Sequence, residues 1–200
     1  MFIRKKVKEQ TNVIELPGTE ALEKELNRVK YNRKYVSIVK STVYTLITVA
    51  AIAVLVATLW LPVLQIYGTS MTPKLHEGDI VVSVKGNNAG QGDVIAFYYN
   101  NKILVKRVIA FPGDWVDIDE NGQVYINQMP LGEPYLQKKA YGDTDIELPY
   151  QVPDGKIFVM GDHRETSLDS RNSAIGCVSE EQIVGKIVYR IWPLNRFARI

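Results

Sequence analysis

The chain has 200 residues, with 24 Lys/Arg, 22 Asp/Glu and a formal net charge of +2. Ten of the basic residues fall within positions 1–41, against five Glu. The basic excess therefore flanks one segment and does not form the patch that nucleic acid requires. A single cysteine, Cys177, excludes an intrachain disulfide and is read as a small buried residue, and the length leaves room for one ordinary domain beside a hydrophobic span.

Positions 1–41 form a basic segment. Within it Leu22, Leu26 and Val29 recur at helical spacing, which fits either a short amphipathic helix over 19–34 or a solvated stretch. From Thr42 to Leu64 the chain runs 23 residues without a charge, long enough to cross a hydrocarbon core of ~30 Å as a helix. Arg28, Lys30, Arg33, Lys34 and Lys40 precede this run, and the first charge after it is Lys74. The positive-inside rule then places the N-terminus in the cytoplasm and residues 65–200 outside. Tyr31, Tyr35, Trp60 and Tyr67 stand near its two ends, where aromatic belts form. A cleaved signal peptide has an apolar core of roughly 7–15 residues and a small-residue cleavage site. This run is longer and ends in Leu59-Trp60-Leu61-Pro62, so it is read as a permanent transmembrane anchor.

Beyond the anchor the pattern changes to strands. Ile80–Val84 and Val94–Tyr99 are β-branched or aromatic runs, each preceded by Gly-Asp. Asn100-Asn101 turns into Ile103–Phe111, which Pro112-Gly113-Asp114 ends. Asn121-Gly122 is a hairpin signal between Trp115–Ile118 and Val124–Ile126. Residues 127–151 are polar and without periodicity, and are read as a loop or insertion. Lys156–Met160 follows a Pro-Asp-Gly turn, Ser179-Glu180-Glu181-Gln182 is a capping box, and Gly185–Trp192 reads as a closing strand. The predicted class is mainly β: one N-terminal transmembrane helix, then a mostly antiparallel β domain over 65–200.

Three places carry residues suited to chemistry. In a strand over 102–111, Lys106 shares a face with Leu104, Val108 and Ala110, while Arg107 points the other way. Apolar neighbours disfavour the charged amine and turn a lysine into a base; the bland reading is a stem covering apolar surface with its ammonium in water. Ser70 follows Gly68, which permits unusual dihedrals, and precedes the stiffening Pro73, so its own N–H can face a developing oxyanion. The only histidines, His76 and His163, lie in polar turn-like segments, so a Ser-Lys dyad is easier to build than a Ser-His-Asp triad. The third place is the mixed-charge run Gly161–Arg171, either a braced surface loop or an active-site wall. No metal-ligand spacing and no phosphate-binding glycine loop occurs, so neither metal nor cofactor is expected.

Together these segments resemble the bacterial type I signal peptidases, in their Gram-positive-like form: membrane-anchored serine proteases that remove signal peptides from exported proteins. The resemblance rests on Gly68-Thr69-Ser70-Met71-Thr72-Pro73, on Gly92-Asp93-Val94 with Val105-Lys106-Arg107-Val108-Ile109 and Pro112-Gly113-Asp114, and on Met160-Gly161-Asp162 with Ser167, Asp169, Ser170 and Arg171. It implies that Ser70 is the nucleophile, Lys106 the general base and Ser167 the hydroxyl holding the lysine amine. It implies further that Asp162, Asp169 and Arg171 brace the site, that Arg107 faces away from it, and that an apolar surface of the domain meets the lipid bilayer. The expected substrates are preprotein signal peptides with small residues at −1 and −3. Two departures stand out. Gly68 occupies a place where some members carry a serine that completes the oxyanion hole, leaving the Ser70 N–H and an unnamed second donor in the Gly68 region. His163 and Thr166 replace asparagines usual in the last box. Rival readings are a non-catalytic membrane-anchored assembly factor for secreted or pilus subunits, and a self-cleaving repressor-type protease. The intact Ser70, Lys106 and Ser167 argue against the first, and the anchor against the second. Oligomeric state is not legible.

Overall fold

The computed structural model describes residues 18–86 and 89–200. The basic residues Arg4, Lys5, Lys6 and Lys8 therefore lie outside the described residues. The chain divides into a unit ending at Ala53 and a unit from Val54 to Ile200. Helix α1 runs unbroken over Thr19–Trp60, 42 residues, so the helix expected over 19–34 and the apolar run belong to one element. The helix is long and apolar enough to cross a membrane. Its threonines fit an apolar surrounding because each hydroxyl donates to a carbonyl one turn earlier: Thr42 to Ile38, Thr45 to Ser41, Thr48 to Tyr44 and Thr58 to Val54. The helix ends at Trp60, short of the Leu64 boundary read from hydropathy. Pro62 has no N–H and disfavours helical geometry at Leu61, and Val63–Gln65 is already extended.

The second unit is antiparallel throughout. Its strands are β1 (Val63–Gln65), β2 (Ile80–Val84), β3 (Val94–Tyr99), β4 (Lys102–Ala110), β5 (Trp115–Ile118), β6 (Val124–Ile126), β7 (Met129–Pro130), β8 (Tyr150–Gln151), β9 (Lys156–Met160), β10 (Val178–Ser179), β11 (Ile183–Trp192) and β12 (Ala198–Arg199). The larger sheet has the order β1-β2-β11-β3-β4-β9-β10, with β12 on β11, and the smaller one β7-β6-β5-β8. Read as a closing strand, β11 is in fact the hub between β2 and β3. Asn100 and Asn101 take positive φ, 43° and 63°, in the two-residue link from β3 to β4, as the right-handed twist of a tight hairpin requires. The segment read as a 127–151 loop contributes β7 and β8 at its ends to the smaller sheet.

Three apolar clusters fill this unit. Ile109, Ala110, Val116, Val124, Phe158 and Met160 join the smaller sheet to β4 and β9. Ile66, Met71, Leu75, Val81, Val94 and Ile187 form a second cluster. Ile95, Phe97, Val108, Ile157, Val159 and Val178 form the third, against which Leu104 packs. Lys106 stands directly across from Ile95, with Leu104 and Val108 two positions either side. A register shift between Val108 and Ala110 turns Ala110 into the first cluster, so the face expected to run unbroken from Leu104 to Ala110 stops at Val108.

Candidate active site

Residues 66–79 close into a loop. The Ile66 N–H donates to the Asp79 carbonyl and the Gly78 N–H to the Ile66 carbonyl, both at about 2.9 Å. Met71 and Leu75, buried in the second cluster, anchor the loop from inside, and their spacing makes one turn closed by Leu75 N–H to Met71 O at 2.9 Å. Asp79 is fully buried and accepts from the His76 N–H, Arg190 and Arg196, tying the loop's end to the C-terminal strands. Gly68 turns at φ +80°, open to glycine without strain. Ser70 follows it, half-buried, one residue before the Met71 anchor. Among the described residues its N–H donates to no carbonyl.

Lys106 projects from the middle of β4 and its Nζ donates to Ser70 Oγ at 2.8 Å. The lysine is 4% exposed. Burial lowers its amine from 10.5 to about 8; the Asp169 and Asp162 carboxylates pull the other way and the Arg171 guanidinium adds to the lowering. The two residues singled out from sequence, 36 positions apart, are thus brought into contact.

The Gly161–Arg171 run wraps behind this pair. The His163 N–H donates to the Ser70 carbonyl at 3.0 Å, so the run grips the serine's own peptide. Asp169 is fully buried, receives Arg171 through both carboxylate oxygens at 2.9 Å, and accepts the Gly161 N–H at 2.9 Å. Burial alone raises the Asp169 carboxyl, but the Arg171 pair and the Gly161 N–H outweigh it and hold the group below its ordinary value. Arg171 also donates to the carbonyls of Tyr141 and Arg164. Asp162 receives Arg107 in a two-pronged pair at 2.7 and 2.5 Å, so Arg107, which points away from the lysine, fixes the start of the run. Ser167 is buried; its hydroxyl makes no well-aligned hydrogen bond among the described residues, though it lies close enough to Asp169 to help lower that carboxyl. The bond to the lysine amine implied by resemblance is not made here. Gly161 explains the tightness: a Cβ there would press on Ser167 Oγ and lie 2.6 Å from the Ser70 carbonyl oxygen.

Two contributors went unread in the sequence. Glu133, from the 127–151 segment, forms a buried ion pair with Arg164, whose Nε donates to the Gly161 carbonyl at 3.0 Å. The ring of Tyr135 lies under the Arg107 guanidinium, 4.0 Å from its centre. Burial and the neighbouring Glu133 carboxylate push the Tyr135 hydroxyl up. The Gly-Glu-Pro-Tyr run around them shows no periodicity, and nothing local signals two side chains turned inward. Among the described residues no group of three His, Cys, Asp or Glu is assembled to hold a metal ion.

A cleft of about 670 Å³ opens beside the Ser70–Lys106 pair, walled by Val63–Tyr67 on one side and Asn101–Lys106 on the other, with Met71 at its base. Among the described residues β1 pairs only with β2, and residues 102–106 of β4 pair only with β3, so both walls present unpaired strand edges.

Residues 39–192 match the family described as "Signal peptidase, peptidase S26". The chain belongs to that family. Proteins similar to this chain include signal peptidase IB of Staphylococcus aureus (strain COL), 40% identical over 152 residues, or 66% of this chain and 78% of that protein. Signal peptidase I of Bacillus amyloliquefaciens is 36% identical over 165 residues, covering 77% of this chain and 88% of the relative. Among solved structures, a signal peptidase I from Enterococcus faecalis V583 superposes with a TM-score of 0.43 and 30% identity, over 50% of this chain and 96% of that one. Membership in the S26 family makes the chain a serine endopeptidase.

Proposed function

We propose that the chain removes N-terminal signal peptides from exported preproteins, cutting after small residues at −1 and −3, with Ser70 as nucleophile and Lys106 as general base. The observation that carries this reading is the 2.8 Å contact between Ser70 Oγ and the buried, base-poised amine of Lys106. With the amine titrating near 8, about a tenth of it is neutral at pH 7, and the serine hydroxyl then donates to it. Ser70 Oγ attacks the scissile carbonyl while its proton passes to Nζ. The oxyanion forms in front of the free Ser70 N–H. The lysine ammonium then protonates the departing amine of the mature chain, leaving an acyl-enzyme. A water gives a proton to the now neutral Lys106 amine as it attacks the ester, Nζ returns a proton to Ser70 Oγ as the acyl bond breaks, and the signal peptide leaves with a new carboxylate.

The unpaired edges of β1 and β4 accept an extended peptide as an added strand, and its alternate side chains enter the cleft. That geometry suits a rule at −1 and −3, two positions on one face. Ser167 supplies the hydroxyl that steadies the amine once Ser70 is acylated. Its hydroxyl makes no well-aligned bond of its own and only helps to lower the nearby Asp169, so it is free to take that bond. Asp162, Asp169 and Arg171 hold the wall rigid. Helix α1 anchors the protein in the bilayer, with the basic N-terminal side in the cytoplasm and the β domain outside. The assembly-factor alternative has no use for a buried lysine aimed at a serine. Purified protein in detergent should convert a preprotein to its mature form, and Ser70→Ala should not; conversion by Ser70→Ala would refute the assignment.

A further inference from the structure

A second pocket adjoins the nucleophile and takes no part in the steps above. It encloses about 340 Å³, and its walls are Thr72 and Pro73, then Gln137 and Lys138 of the 127–151 segment, then His163 and Glu165. Its relation to Ser70 is set covalently and by a hydrogen bond. Thr72 and Pro73 follow Ser70 by two and three residues, and the His163 N–H holds the Ser70 carbonyl at 3.0 Å. Ser70 and Lys106 line the cleft between β1 and β4, where Val63, Leu64, Ile66, Met71, Leu104 and Val105 supply apolar surface and no acidic side chain among the described residues takes part. The second pocket differs in carrying charges of both signs, Lys138 and Glu165.

We propose that this pocket receives the first residues of the mature chain, those just after the scissile bond, and that Glu165 and Lys138 select among them by charge. The assignment rests on the signal-peptidase reading. Small apolar residues before the bond fill the cleft, so the polypeptide after the bond passes Ser70 on its far side. Lys138 and Glu165 pair at 3.3 Å, with side chains 74% and 59% exposed. So loose and solvated a pair is displaced at little cost, leaving Glu165 free to meet a basic residue and Lys138 an acidic one. The Thr72 hydroxyl donates to the Thr69 carbonyl, His163 Nδ1 lies 3.0 Å from the Thr166 hydroxyl, and the Asp162 carboxylate in the wall is held by Arg107. The charged pair is the adjustable part of the wall. This gives His163 and the 127–151 segment a place in substrate selection that the resemblance left open.

The test uses full-length protein in detergent and three preproteins identical except at +2, which is Lys, Gln or Asp. In Glu165→Gln, kcat/KM for the Lys substrate should fall about two- to five-fold relative to the Gln substrate, the size expected for an exposed charge contact. In Lys138→Gln the Asp substrate should suffer in the same way. Unchanged ratios among the three substrates in both variants overturn the assignment. So does an equal loss on all three, which would mark the residues as merely structural. Wild-type protein that cuts none of the three overturns the peptidase reading itself, and this assignment with it.

Discussion

In the proposed mechanism Lys106 sets the pH range of activity. The ascending limb of kcat/KM against pH should have its midpoint near 8, and a limb near 10.5 would mean that the amine is not desolvated during catalysis. Lys106→Arg keeps the charge but supplies no base, and should lower kcat by about 10⁴-fold or more in a single-turnover assay. The same burial shows in stability. The folded amine binds its proton more weakly than the unfolded one, so the unfolded state holds more protons between pH 8 and 10.5 and stability rises with pH across that window. Urea unfolding should show this rise in the wild type and not in Lys106→Met. Gly161 is the other decisive residue. Gly161→Ala should cut kcat by about ten-fold or more while the protein stays folded, since the added methyl must displace Ser167 or the Ser70 peptide. A variant with wild-type kcat would show that the wall is looser than its contacts imply.

At the scale of elements, the Gly161–Arg171 wall depends on the 127–151 segment. Glu133→Gln leaves the Arg164 guanidinium buried with half its partner gone, and should cost about 3–5 kcal/mol in chemical denaturation. Tyr135→Phe keeps the ring under Arg107 but removes the hydroxyl's 3.1 Å bond to Glu133, and should cost about 1.5–3 kcal/mol in stability with kcat unchanged. Tyr135→Leu removes the ring as well and should cost about 1–2 kcal/mol more, with a fall in kcat as the Arg107–Asp162 pair loosens. The contrast between the two variants separates the ring from the hydroxyl. These dependencies explain which elements are legible in the sequence. Ile80–Val84, Val94–Tyr99 and Trp115–Ile118 carry their own β-branched and turn signals, and the structure has strands over the same residues. Two- and three-residue strands such as β1, β7 and β10 carry no period of their own, because only a neighbour's edge makes them extended. The central place of β11 is hidden for the same reason: strand order is a property of pairing between distant segments.

For the whole molecule, the proposed function gives helix α1 the anchor and the β unit the cutting. Protease added outside intact cells should digest the β unit and spare the basic segment; the opposite pattern would reverse the proposed orientation. Ser70 and Lys106 are each recognisable in the sequence from local setting: a glycine before a serine, apolar neighbours around a lysine. Their contact is not, since it depends on β4 lying beside a loop pinned by Met71, Leu75 and Asp79. The partnership of Arg107 with Asp162 is equally hidden, because alternation says only that Arg107 faces away from Lys106. The central claim is that one buried lysine and one serine cleave a preprotein. Its most direct test is mass spectrometry of the new N-terminus after incubating a defined preprotein with wild-type, Ser70→Ala and Lys106→Met proteins in detergent. Wild type should give a single cut after a small residue and neither variant a cut above background; a correctly placed cut by either variant would contradict the Ser70–Lys106 assignment.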